Sequence, residues 1–193
     1  MMLAQFKAVG HDLFTRGLVS SHSGNLSIRM GDRIIITRRG SQLGSLEEHD
    51  LIETGLTKND RATPLTSVEL PVHRAIYLAT QARAIVHAHP VHAIALSLTE
   101  NEIPATCIEG EPLGPVPVVG WNMEVKPGGL ADVIAQALKG YRIVMVHGHG
   151  SFAIGQLLEE ALNCTTSFEA NCEVVCLLRS LQVSPAKGVS PAI

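Results

Sequence analysis

The sequence predicts a single α/β domain in which helices flank one mixed, largely antiparallel sheet. Segments of strand-like and helix-like periodicity alternate along the chain instead of separating into blocks. A turn signal at Gly31-Asp32 joins two short apolar runs as a hairpin, which brings antiparallel pairing into the interleaved pattern. No internal repeat or low-complexity linker divides the 193 residues, and a 46% hydrophobic content suits one core. The domain is expected over 1–183, with 184–193 as a flexible tail.

The elements follow in order. Leu3, Phe6, Val9, Leu13 and Leu18 recur at roughly helical spacing with no proline between them, so a helix is predicted over 2–18. SGNLSIRM and RIIIT form the hairpin strands. RRGSQLGSLEEHD reads as loop with one helical turn, and DLIET as another short strand. Ser67 is a good N-cap for a helix in which Pro71 must lie in the first turn, where no N–H is needed; this puts Glu69 at the helix mouth. ARAIV is a strand stopped at Pro90, and PVHAIALSLT is a helix. The prolines of PVPVVG predict an edge strand. GGLADVIAQALKG is a helix ended by glycine, and YRIVMV a buried strand. One long helix then runs from Leu157 to about Leu181, with Cys164, Cys172 and Cys176 at helical spacing as small buried thiols.

Composition excludes several classes. With 17% charged residues and a net charge of −3 the chain has no basic footprint for nucleic acid. No apolar run reaches the ~18 residues of a membrane span. The first residues, MMLAQFKAVGHD, lack the basic-then-apolar pattern of a secretory signal. Four cysteines, three crowded near one end, do not form a secreted disulfide framework. A soluble, cytoplasmic protein without nucleic-acid or membrane partners is expected.

The chemistry-bearing residues are mostly histidines. In IVHAHPVHA, His87 and His89 project from one face of a strand while Ala88 turns away. His92 falls on the following helix, as a supporting donor or a surface residue. A second His-x-His, His147 and His149, follows the YRIVMV strand. Two strands that each end in this pair, with glycine allowing close approach, can bring three imidazoles onto one ion, and either His147 or His149 can be the third. Three protein nitrogens with one open position suit a catalytic divalent cation. Glu69, with His73 one turn later, sits where a carboxylate is favoured by the helix dipole and can serve as acid or base beside that ion. SHSGNLS and TRRGS offer backbone N–H groups and guanidinium suited to an anion such as phosphate.

Together, SGNLSIR, IIITRRG, TSVELPVHR, AIVHAHPVHA and VMVHGHGSFAIG resemble the class II aldolase/adducin family, in order over nearly the whole chain. The resemblance implies that family's α/β head-like fold. It makes His87, His89 and His149 ligands of Zn²⁺ or another divalent ion such as Mn²⁺ or Co²⁺, with His149 preferred because it immediately precedes the matching glycine. It makes Glu69 the acid/base, and Asn25, Gly40 and Ser67 the holders of a substrate phosphate. Arg39 stands where a small hydroxyl residue is common and can add charge there. Val68 replaces a second hydroxyl before the glutamate, and no tyrosine follows Ile103-Pro104-Ala105.

The activity implied is retro-aldol cleavage of a ketose 1-phosphate to dihydroxyacetone phosphate and an aldehyde, the ion stabilising the developing enediolate. Alternatives on the same site are an epimerase, a dehydratase or a sugar-acid-phosphate decarboxylase. A non-catalytic adducin-like scaffold fits less well, because it has no reason to keep an open metal site. The resemblance also implies a homotetramer with active sites between subunits and a small-molecule sugar phosphate as substrate.

Overall fold

The computed structural model describes residues 2–121 and 129–183. Helix α1 (Met2–Thr15) leads into the hairpin β1 (Asn25–Met30) and β2 (Arg33–Thr37), then β3 (Leu51–Gly55). Helix α2 (Leu70–Ala79), strand β4 (Ala84–Ala88) and helix α3 (Val91–Ser97) follow. The second half carries β5 (Glu102–Ile103), β6 (Val116–Val119), α4 (Gly129–Ala137), β7 (Ile143–Val146), β8 (Gly150–Gly155) and α5 (Leu158–Ser180).

The eight strands form one sheet in the order β3-β2-β1-β4-β8-β7-β6-β5. Every pairing is antiparallel except β6 with β7. The predicted fold class is therefore the observed one. Alternation along β4 explains the layering. Ala84, Val86 and Ala88 enter a core shared with Phe6 and Leu13 of α1, Ala93 and Leu96 of α3, and Phe168 and Cys172 of α5. Ile85 faces the opposite core, with Ile76 and Tyr77 of α2 and Ile134 of α4. Fully burying each such Leu, Ile or Phe stabilises by roughly 1.5–3 kcal/mol, so the two cores together clamp the sheet.

Helix α5 buries Leu158, Ala161, Cys164, Phe168, Asn171, Cys172 and Val175, a stripe at three- and four-residue steps. Cys164 and Cys172 are buried as expected, while Cys176 is half-buried. No helix among the described residues is long and apolar enough to cross a membrane.

Three expectations are corrected, and one unassigned segment proves to be a strand. The first helix ends at Thr15, because Gly17 takes a left-handed φ of +70° that an α-helix cannot continue. PVPVVG is not the edge: the two-residue β5 pairs outside it, and Val118 also donates to Asn101 O. GSFAIG is a full strand, β8, that the small, non-alternating residues conceal. The loop before β3 holds two single turns instead of one, Leu43–Ser45 and Glu48–Asp50. The predicted tail, 184–193, lies outside the described residues.

Candidate active site

Strand register assembles the site. Asn25 at the start of β1 pairs with His87 on β4, and Phe152 of β8 pairs with His87 from the other side. His89 lies one residue beyond β4, held by donating its backbone N–H to Leu18 O at 2.7 Å. The second His-x-His is not a strand pair, contrary to the sequence reading. His147-Gly148-His149 is the turn between β7 and β8, and Gly148 adopts a φ of +62°. The reversal sends the two imidazoles apart. His147 packs on Trp121, ring centroids 4.0 Å apart, while His149 turns toward His87 and His89.

The rings of His87, His89 and His149 form a near-equilateral triangle with centroids 4.9, 5.0 and 5.1 Å apart. One nitrogen from each lies within 4.8 Å of the others. The close approach requires glycine at 150. A Cβ there would stand 2.4 Å from Ala88 O, 2.8 Å from His89 Cδ2 and 3.0 Å from His87 Cε1. Gly150→Ala is therefore expected to push β8 off β4 at a cost of about 1–3 kcal/mol. It should also weaken divalent-metal binding by roughly 10–100-fold, as displaced supporting groups do. Thermal unfolding with metal titration checks both; wild-type values would show that the strands tolerate the methyl group.

Glu69 closes the triangle. It occupies the N-cap of α2, and its carbonyl accepts the first helical hydrogen bond, from His73 N–H at 3.1 Å. This corrects the expected cap: Ser67 lies two residues outside, and its hydroxyl accepts the Glu69 N–H at 3.3 Å. The Glu69 side chain makes no cap bond and turns into the site instead. Its Oε2 lies 3.1 Å from His87 Nε2 and its Oε1 3.4 Å from His149 Nε2. Asn25 Nδ2 donates to Oε2 at 2.7 Å.

The hydrogen bonds fix the tautomer of His87. Ser151 O can only accept, so Nδ1, 2.9 Å away, carries the proton. Burial and the neighbouring imidazoles hold His87 well below its ordinary pKa, so it is neutral and its Nε2 presents a lone pair. That lone pair faces a carboxylate oxygen at 3.1 Å and His89 Nε2 at 3.0 Å. The His87–Glu69 contact is thus no ion pair; a proton or a cation is needed between these acceptors. Burial also lowers His89, to about 4, and raises Glu69, the latter opposed by the Asn25 hydrogen bond. Neutral imidazoles around an unshared lone pair have the chemistry of a metal-binding donor set, and the triad fits a divalent cation.

A cavity of about 280 Å³ opens in front of the triad. Its walls include Asn25, Arg39, Gly40, Ser67, Glu69 and His87, His89 and His149, whereas His92 and His147 lie outside it. Gly40 sits at a φ of +73°, and its carbonyl accepts from His22 Nδ1 at 3.0 Å, which fixes the loop. Asn25, on the cavity wall, is already engaged with Glu69. His92 belongs elsewhere: Glu169 of α5 accepts from its ring at 2.9 Å and from the backbone N–H groups of His92 and Ala93. His73, noted only as a neighbour of Glu69, proves to hold Asn25.

The family described as class II aldolase and adducin N-terminal domain matches residues 4–176. The crystal structure of L-fuculose-1-phosphate aldolase from Thermus thermophilus is 35% identical, with a TM-score of 0.86 over 100% of this chain and 98% of that one. A methylthioribulose-1-phosphate dehydratase from Acidiphilium cryptum is 34% identical over 79% of each chain. L-fuculose phosphate aldolase from Methanocaldococcus jannaschii is 30% identical, covering 81% of this chain and 86% of its own. The chain also matches 35% of the length of a longer relative from Nocardia farcinica, a probable bifunctional methylthioribose-1-phosphate isomerase/methylthioribulose-1-phosphate dehydratase, at 28% identity. The chain belongs to the class II aldolase and adducin family, and the relatives it resembles include lyases.

Proposed function

We propose that this protein is a divalent-metal-dependent aldolase that cleaves a ketose 1-phosphate, such as L-fuculose 1-phosphate, to dihydroxyacetone phosphate and an aldehyde. The observation that carries the reading is the Glu69 carboxylate, raised by burial and set between His87 and His149 at the cavity floor. His87, His89 and His149 would hold the ion, Zn²⁺ or alternatively Mn²⁺ or Co²⁺. When bound, that ion supplies Lewis-acid stabilisation for negative charge developing on substrate oxygens.

The chain's own groups do the remaining work. Gly40, in its left-handed turn, lines the cavity together with Ser67 and Arg39, which offer a backbone N–H, a hydroxyl and a guanidinium. These suit a phosphate dianion. Anchoring the phosphate there leaves the sugar carbons against Glu69. On cleavage the Glu69 carboxylate takes the proton of the C4 hydroxyl, the C3–C4 electron pair remains on C3, and the Glu69 carboxyl returns that proton to C3. A carboxyl group with a raised pKa is suited to this exchange near neutral pH. By the same resemblance the working unit is a homotetramer with sites between subunits.

A second reading, a dehydratase acting on a ketose 1-phosphate, is favoured by one observation. The segment after Pro104 is tied to α5 by Asn171, which accepts from the N–H groups of Thr106 and Cys107, and it carries no phenol. In that reaction Glu69 removes the C3 proton and hydroxide leaves the next carbon, so the phosphate handle and base are shared. A panel of ketose 1-phosphates, ribulose 5-phosphate and sugar-acid phosphates, with product identification, separates the readings. Dihydroxyacetone phosphate plus aldehyde supports the aldolase. Loss of water, loss of CO₂ or epimerisation would replace it, and an inert protein with a full metal complement would sink both.

A further inference from the structure

Behind Glu69 lies a buried chain of polar side chains that the proposed reaction does not use. Tyr77 OH is 2.8 Å from Ser27 Oγ, which is 2.6 Å from His73 Nδ1. His73 Nε2 is 2.5 Å from Asn25 Oδ1, and Asn25 Nδ2 is 2.7 Å from Glu69 Oε2. Asn25, Ser27, His73 and Tyr77 are all buried, the last three completely so. Each direction is determined. An amide oxygen only accepts, so His73 donates from Nε2. The neutral ring therefore accepts at Nδ1, so Ser27 donates to it, and the Ser27 oxygen takes the Tyr77 proton. Every member is satisfied, and the donors all run one way, toward the carboxylate.

We propose that His73, supported by Ser27 and Tyr77, is a positioning residue that fixes the Asn25 amide with its NH₂ toward Glu69 and thereby sets the geometry of the acid/base. The proposal rests on Glu69 having that role. An amide in the middle of the chain cannot pass protons as a hydroxyl or imidazole does, so the network orients and does not relay. Without a donor at position 73, Asn25 can turn over and aim its carbonyl oxygen at the carboxylate. That replaces an attraction with a repulsion at the oxygen next to His87.

The test uses metal-loaded enzyme carrying His73→Phe or His73→Gln. Phenylalanine keeps the packing against Phe152 but can donate nothing; glutamine can still donate to Asn25 Oδ1. The Phe variant should lose roughly 10–100-fold in kcat, as a misplaced catalytic group does. KM should stay within about threefold and metal content unchanged, since neither phosphate wall nor triad is altered. The Gln variant should recover most of the loss. A Phe variant with wild-type kcat, or a Gln variant no better than Phe, overturns the proposal. Should the Phe variant fail to fold, Ser27→Ala and Tyr77→Phe decide: kcat should fall more for the first, which touches His73 directly, and wild-type rates in both overturn it.

A readout independent of turnover separates this inference from the functional reading. Nitrogen-15 NMR of the wild type should find His73 neutral and protonated at Nε2. The Asn25 amide protons should be shifted downfield and move in Glu69→Gln. A ring protonated at Nδ1 refutes the network even in an active enzyme. The expected spectra in a protein inert to every sugar phosphate would leave the positioning intact and fail only the assigned reaction.

Discussion

Glu69→Gln is expected to keep the bound metal and lose about 10²–10⁴-fold in turnover, the usual loss when a positioned acid/base is removed. Glutamine matches the carboxylate in shape, and its amide oxygen can still accept from Asn25 Nδ2. His87, His89 and His149 remain in place, so metal analysis should still find about one ion per chain. Stability separates catalysis from a structural role. A carboxylate at a helix N-terminus contributes about 0.3–1 kcal/mol through the dipole. Glu69, however, is largely buried among groups that raise its pKa, so its charged form is disfavoured there. The neutral variant should unfold at an equal or higher denaturant concentration than the wild type. A residue serving mainly to cap the helix would behave the other way, with intact turnover and lower stability. Full activity in Glu69→Gln would remove the acid/base assignment, whereas loss of metal would recast Glu69 as a ligand. His149→Ala supplies the contrast, expected to lose both metal and activity.

Much of the fold could be read from periodicity because the packing partners of each segment are uniform along its length. α1 shows one apolar stripe, and β7 is buried on both faces, so each carries a clear signal. Strand β8 hid because Gly150 and Ser151 are chosen by contact with His87, His89 and Ala88, not by strand propensity. The histidines were conspicuous as ligand types, but spacing alone could not place the second pair. Two histidines flanking a glycine share a face on a strand and diverge in a turn, and only the end of β7 decides which. The cap of α2 was misplaced by two residues for a similar reason. Serine is the better intrinsic cap, yet the site recruits the Glu69 side chain inward and leaves the helix end without one. The Asn25–His73 contact links residues 48 apart in sequence, and nothing local in either segment announces it. Local rules fail most where the site overrides them.

The metal-free protein should lose stability steeply as pH falls below about 6.5, and His73 accounts for a separable part of that loss. Burial holds its pKa at about 3 in the fold, against an ordinary 6.5. Between those values the unfolded chain binds the proton and the folded chain does not. The contribution is therefore complete above pH 6.5 and is lost as pH drops toward 3. For His73 alone the loss between pH 7.5 and pH 5 is about 2 kcal/mol, a figure that hardly changes if the folded value lies anywhere below 4. His87 and His89 act in the same direction, since burial lowers both. Glu69 opposes them, because its raised pKa lets the folded state take up a proton first. The net slope of the wild type therefore mixes signs, and the His73 part is isolated by difference. Denaturant unfolding of chelated wild type and His73→Phe, each at pH 7.5 and pH 5, measures it. The variant should start less stable, because Asn25 and Ser27 lose a buried partner, but its further loss on acidification should be smaller by about 2 kcal/mol. Equal losses in the two proteins would mean that His73 takes up its proton without unfolding. The ring would then have to reach water or a carboxylate, which the sealed contacts to Asn25, Ser27 and Phe152 do not allow.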